Sequence, residues 1–221
     1  MKWVRILVEG QTEERFVKDL LAPALAAREI FLTPTLLTTK RVKHGPNFKG
    51  GVTSYAKCRS DLLQLLRGAG DGYVTTLLDY YGLPDDFPGM ATRPAGGTPL
   101  DRAHHVEEAI HRDLGAPQNL KAFLALHEFE AWLYASPSEL PETMMAGMAE
   151  AETFANICRQ FPSPEHINDS PVTAPSKRIL TLFPSYRKAL HGPMIAKRIG
   201  LEPIRKACPH FDAWVALLES L

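Results

Sequence analysis

Two acidic residues follow short runs of β-branched and aliphatic residues: Glu9 after Trp3–Val8, and Asp79 after Tyr73–Leu78. In an open parallel sheet, ligands bind beyond the carboxyl ends of the strands. An acid at each strand end therefore offers two carboxylates to one crevice. A hard Mg²⁺ ion is often held in this way, by one or two carboxylates completed with water and substrate phosphate. Either acid alone serves a turn or a helix cap equally well. Gly10, directly after Glu9, permits a tight turn and close backbone approach by a ligand.

A second group of acids lies in His127-Glu128-Phe129-Glu130-Ala131-Trp132-Leu133. It is not a zinc-protease helix, because Ala131 stands where H-E-x-x-H requires its second histidine. In a strand, Glu128 and Glu130 share a face. In a helix they diverge by ~200°, and only one can enter the crevice. The spacing of Phe129, Trp132 and Leu133 favours the helix, which puts Glu130 one turn from His127. A helix start with acids favoured by the macrodipole is the structural alternative.

Charge is segregated along the chain. Residues 40–67 carry Lys40, Arg41, Lys43, Lys49, Lys57, Arg59 and Arg67 against Asp61, and residues 177–206 carry eight bases against Glu202. Residues 79–152 carry thirteen acids and four bases. Two basic segments on one side of the molecule, flanking an acidic crevice, would hold the phosphates of a polyanion around a metal. Gly10, Lys43, Lys49 and Arg178 are thus the candidate substrate-binding residues. Solvated helix faces, with Lys and Arg stems covering apolar surface, are the structural alternative.

The elements that must position these groups follow from hydrophobic periodicity. Trp3–Val8, Pro34–Thr39, Tyr73–Leu78 and Leu120–Leu126 read as strands, and helical spacing fills Thr12–Ala27, Ser54–Leu66 and Thr98–Leu114. Thr12 is placed to cap the first helix, and Pro23 to bend or end it. Alternating strands and helices predict an α/β fold, a parallel sheet of about four strands flanked by helices. From Glu128 onward the pattern is helical and punctuated by prolines. The expected organisation is an α/β core over residues 1–135 and a helical region over 136–221 packed on it, with no clear linker.

The chain has 221 residues, 45% hydrophobic and 23% charged, which excludes collagen-like, disordered and coiled-coil classes. Lys+Arg 25 and Asp+Glu 25 cancel, so only local charge can argue for nucleic acid. The first apolar run is too short for a signal peptide or a membrane span of about 20 residues, and the expected location is cytoplasmic. Cys58, Cys158 and Cys208 form no CxxC pair and read as reduced core thiols. His104 and His105 read as solvated on a surface helix. No P-loop, dinucleotide fingerprint or Ser-His-Asp signature is present, so any nucleotide hydrolysis falls to a partner.

Val8-Glu9-Gly10-Gln11-Thr12-Glu13, Leu78-Asp79-Tyr80-Tyr81-Gly82-Leu83-Pro84, His127-Glu128-Phe129-Glu130-Ala131-Trp132-Leu133 and Pro175-Ser176-Lys177-Arg178, in this order, resemble the bacterial family called domain of unknown function 4276. That family belongs to the TOPRIM-like group, which includes primases, type IA and II topoisomerases and overcoming-lysogeny-defect nucleases. The resemblance implies a TOPRIM-like sheet with Mg²⁺- or Mn²⁺-dependent phosphodiester chemistry, Glu9 and Asp79 being the first and second acidic positions. The group's usual second motif is Asp-x-Asp, and Tyr81 stands at its third position. Asp85, Asp86, Glu128 or Glu130 then replaces the missing ligand, or the site is degenerate. The nuclease branch uses a later lysine near the scissile phosphate, and Lys177 resembles it in chain order, with Ser176 expected at the N-cap before it. Glu9, Asp79, Glu128 and Glu130 are thus the candidate metal ligands, and Glu9, Asp79 and Lys177 the candidate catalytic residues. The implied activity is a nuclease in antiphage defence or DNA maintenance beside an ATPase partner. The alternative is a non-catalytic subunit that binds nucleic acid or a partner.

Overall fold

The computed structural model describes residues 1–37, 52–167 and 173–221. Lys43 and Lys49 lie outside the described residues. Five strands form one parallel sheet: β1 (Lys2–Val8), β2 (Ile30–Leu36), β3 (Tyr73–Asp79), β4 (Leu120–Lys121) and β5 (Leu124–Ala125). Their order is β2-β1-β3-β4, and β5 takes up the place beside β3 where β4 ends, pairing Leu78 with Leu124 and Asp79 with Ala125. The last expected strand is therefore two short ones. The second begins four residues before the expected start and carries Pro34 within it, which an edge strand tolerates.

The chain leaves β1 toward β2, then passes over β1 to reach β3, and leaves β3 away from β1. Outgoing connections from β1 and β3 thus diverge, which opens a crevice beyond their carboxyl ends. The crossovers also cover both faces of the sheet. Val4, Ile6 and Val8 meet Phe16 and Val17 on one face, while Leu7, Val74 and Leu78 meet Cys58, Leu62 and Leu65 on the other.

The first crossover consists of α1 (Gln11–Phe16), a π-helical stretch (Val17–Leu21) and α2 (Ala22–Ala26). Pro23, at the start of α2, has no N–H to give, and the stretch before it widens so that the Ala22 amide reaches back to Val17 O. Thr12 does not cap: Gly10 is the N-cap, and Thr12 is buried in the first turn. On the second face lie α3 (Tyr55–Gly68) and α4 (Pro99–Asp113), the latter opened by a capping box of Thr98 and Asp101.

After β5 come a 3₁₀ helix (Phe129–Ala135), α5 (Glu139–Thr143), α6 (Met148–Arg159), α7 (Pro175–Leu182), α8 (Lys188–Ile199), α9 (Leu201–Ala207) and α10 (Pro209–Glu219). They pack on the α1 face, where Phe16 meets Phe129, Trp132 and Phe211 at ring-centroid distances of 5.4, 5.2 and 6.0 Å. Lys40, Arg41, Lys43 and Lys49 of the first basic segment lie outside the described residues. The described part of the first is α3 on one face, and the second forms α7 to α9 on the other, because the crossover from β2 to β3 runs opposite in direction to that from β1. No described helix is long and apolar enough to cross a membrane.

Of the described helices that begin without a side-chain cap of their own, three are served by carboxylates distant in sequence. Asp86 accepts from Tyr55 N at the start of α3 (2.9 Å), and Glu128 from Ser176 N in α7 (2.9 Å). Buried Glu165 accepts from His210 N and Phe211 N in α10 (2.9 and 3.0 Å). In α7 the N-cap is Ala174, not Ser176. Pro175 fits the first helical position, which leaves Ser176 second and its amide free for Glu128. Glu165→Ala strands two buried amides at about 1–3 kcal/mol each, so urea denaturation of this variant is expected to show a loss of about 2–6 kcal/mol.

Candidate functional site

Glu9 ends the turn out of β1 and Asp79 closes β3. These strands are neighbours, so the two acids meet at the crevice, where Asp79 N donates to Glu9 Oε2 at 3.2 Å. Glu13, one turn into α1, and Glu130, in the 3₁₀ helix, are both buried beside them. Lys188, the first residue of α8, faces this group. Its Nζ is 3.0 Å from Glu130 Oε2 and 4.0 Å from Asp79 Oδ2, while 41% of the side chain stays exposed. Tyr186 donates to the other Glu130 oxygen at 3.3 Å.

Close helix packing brings these groups together. Gly192 of α8 sits against Tyr186, Phe129 and Thr12, where an added Cβ would stand 3.1–3.3 Å from all three side chains. Pro193 follows it inside α8 and cannot donate to Ala189 O, which instead accepts from Arg15 Nη1 of α1 at 3.1 Å. The break in one helix thus becomes a tie to the next, and the tie lies one residue from Lys188.

Burial is the main influence on every carboxyl here and raises the pKa of Glu9, Glu13, Asp79 and Glu130 above ordinary values. Glu9 raises Asp79 further, whereas Lys188 opposes the rise in all four. For Lys188, burial favours the neutral amine. The carboxylates of Asp79, Glu130 and Glu13 outweigh it and hold the ammonium charged.

The other acids proposed to replace the ligand lost at Tyr81 have separate places. Asp86 caps α3, Asp85 is exposed, and Glu128 binds the α7 amide while still raising Glu9 through its charge. Glu128 and Glu130 diverge, as a helix beginning at Glu128 requires, and it is Glu130 that is fully buried in the crevice. Gly10 caps α1 beside Glu13. Tyr81 is 40% exposed.

Lys177 is exposed in the first turn of α7 and lines a shallow groove with Thr153, Thr181 and Leu182. Arg178 donates to Thr173 O at 2.7 Å and covers the Phe161 ring. Among the described residues, the lysine paired with the strand-end acids is Lys188. In the sequence Lys188 is one of eight bases in residues 177–206, and Glu13 closes the Val8–Glu13 motif with no role assigned to it. One signal was available: a lysine in the first turn of a helix opposes the macrodipole, and Lys188 meets that criterion as Lys177 does.

The sequence pattern of a family described as Domain of unknown function (DUF4276) matches residues 8–219. Similar solved structures include the C-terminal region of the Burkholderia pseudomallei OLD protein, 15% identical, covering 96% of this chain and 98% of that one with a TM-score of 0.43. The C-terminal region of the Xanthomonas campestris pv. campestris OLD protein is 16% identical, covering 97% and 96%, with a TM-score of 0.40. No curated protein matches.

A carboxyl with a raised folded pKa keeps a proton that the unfolded chain has lost, so stability falls as pH rises from the ordinary carboxylate range through the raised values. Lys188, also raised, contributes its full stability throughout that window and loses it only as pH climbs from the ordinary lysine range through its own raised value. Lys188→Met removes the opposing cation. Thermal unfolding by circular dichroism without divalent ions is therefore expected to show a larger fall in Tm between about pH 5.5 and about pH 8 for the variant than for the parent. Equal falls would contradict the charge coupling.

Proposed function

The chain belongs to the DUF4276 family, and from that premise we propose that its strand-end acids form a TOPRIM-like Mg²⁺ or Mn²⁺ site for hydrolysing nucleic-acid phosphodiesters. The observation that carries this reading is the gathering of Glu9, Glu13, Asp79 and Glu130 around one ammonium at the sheet's switch point. The donor set is all oxygen, and its charge exceeds what Lys188 balances, which suits a hard divalent cation. Glu9 and Asp79 would hold the ion, with Glu130 taking the place of the acid absent at Tyr81. The bound ion supplies neutralisation of phosphate charge and activation of water.

The chain's own residues do the rest. Glu130, held by Tyr186, fixes the Lys188 ammonium at the mouth of the crevice. There it is partly exposed and can meet a phosphate oxygen on which charge develops. A buried carboxylate with raised proton affinity, when not engaged by the cation, is suited to take a proton from attacking water. The reading extends to work beside an ATPase partner in antiphage defence or DNA maintenance, since the sequence has no P-loop of its own. Tyr81 favours a second reading, a degenerate site that binds nucleic acid or a partner without cutting.

Purified protein is incubated with plasmid, single-stranded DNA and RNA in Mg²⁺ or Mn²⁺. Cleavage is expected to fall by about 10²-fold or more in Glu9→Gln, Asp79→Asn and Lys188→Ala, and less in Lys177→Ala. Calorimetric Mg²⁺ binding without cleavage would select the degenerate site. Absence of both binding and cleavage would overturn both readings.

A further inference from the structure

A second group of ligating side chains lies at the outer edge of the sheet, with β5 between it and Asp79. His104 and Glu107 stand one turn apart on α4, and His210 comes from α10 on the opposite face. One ligating atom from each lies within 4.8 Å of the others. Glu107 Oε1 is 3.4 Å from His210 Nε2 and accepts from Leu124 N at 2.7 Å, while Leu124 O is 3.0 Å from the same Nε2. A Glu107 oxygen and the Leu124 carbonyl thus converge on the His210 Nε2 position, which becomes a third electron-pair donor once its proton is lost. His104 covers that point from solvent, its ring centroid 5.1 Å from that of His210.

We propose that His104, Glu107 and His210, with the carbonyl oxygen of Leu124, form a transition-metal site of the Zn²⁺ class, distinct from the strand-end carboxylates and independent of their function. Around a four-coordinate ion with bonds of about 2.0–2.1 Å, neighbouring ligand atoms lie roughly 3.3 Å apart. The 3.4 and 3.0 Å separations already in place match that spacing. His104 is exposed and closes the remaining gap by side-chain rotation. In the imidazolium form, which Glu107 favours, His210 gives up its Nε2 proton to solvent as the ion takes that position, keeps its Nδ1–H and ligates as neutral imidazole, and water molecules are released from the ion as the protein ligands bind. Two imidazoles in the donor set select Zn²⁺ and its transition-metal neighbours over Mg²⁺ or Ca²⁺, which prefer oxygen alone. An ion here joins α4 to α10 around the edge of the sheet, so it ties together the two helical layers.

The test is calorimetric titration of chelator-stripped protein with ZnCl₂ in saturating Mg²⁺, beside a separate titration with MgCl₂. The expected result is a single Zn²⁺ per chain whose affinity falls at least about tenfold in His104→Ala. Mg²⁺ binding in that variant should match the parent, and Glu9→Gln should leave Zn²⁺ affinity unchanged. His104 is a surface side chain, so its removal does not threaten the fold; Glu107→Gln, which also touches Leu124, serves as the second variant. Zn²⁺ binding that is as tight in His104→Ala as in the parent would overturn the site, as would no Zn²⁺ binding at all. If Glu9→Gln weakens Zn²⁺ instead, the ion belongs to the carboxylate crevice and the proposal fails.

Discussion

The fold is arranged around the difficulty of keeping several carboxylates beside one another out of water. Burial of a charge is costly unless another charge or well-placed hydrogen bonds compensate. At the end of β1 and β3 the compensation comes from Lys188, from the Asp79 amide on Glu9 and from the Tyr186 hydroxyl on Glu130. Lys188 occupies an unfavourable place for a cation at a helix start, so its carboxylate partners outweigh the local preference. The close approach of α8 to α1 at Gly192, and the tie from Arg15 to Ala189 O, hold the ammonium there. A looser packing of these two helices would leave the acids with only one another.

The acidic middle of the sequence takes on a different meaning in three dimensions. Asp86 caps α3, Glu107 receives the Leu124 amide and Glu128 receives the Ser176 amide, while Glu165 does the same for α10 just beyond that stretch. Each carboxylate answers a backbone donor tens of residues away. Three helices with no capping side chain of their own, α3, α7 and α10, and the strand β5 are thereby fixed to the rest of the molecule. Part of the acidic middle thus serves backbone donors elsewhere in the fold.

The strands were legible because β-branched runs ending in an acid are a local signal, and parallel order follows from the helices between them. That Glu9 and Asp79 share one crevice was also within reach, since it depends only on adjacent strands. The roles of Lys188 and Glu13 were not: a first-turn position marks Lys188 only as a misplaced cation, and its significance comes from acids in α1, β3, the 3₁₀ helix and the turn after β1. Of the basic segments 40–67 and 177–206, α3 packs on one face of the sheet and α7 to α9 on the other, a difference that charge counts cannot carry because they hold no information about which face a crossover takes. Thr12 and Ser176 looked like caps by residue type, but the neighbouring Gly10 and Pro175 had already settled where each helix begins.

Both borders of the sheet carry an obstacle to a further strand, by different means. On one side β2 carries Pro34, which cannot donate a ladder hydrogen bond. On the other, the N–H and carbonyl of Leu124 are taken by side chains from α4 and α10, so the short β5 offers an incoming strand no free pair at that residue. Exposed edges are where sheets recruit one another into aggregates. A domain that gathers several buried acids at one end of its sheet therefore also has, at Pro34 and Leu124, edge positions that give an incoming strand little to pair with.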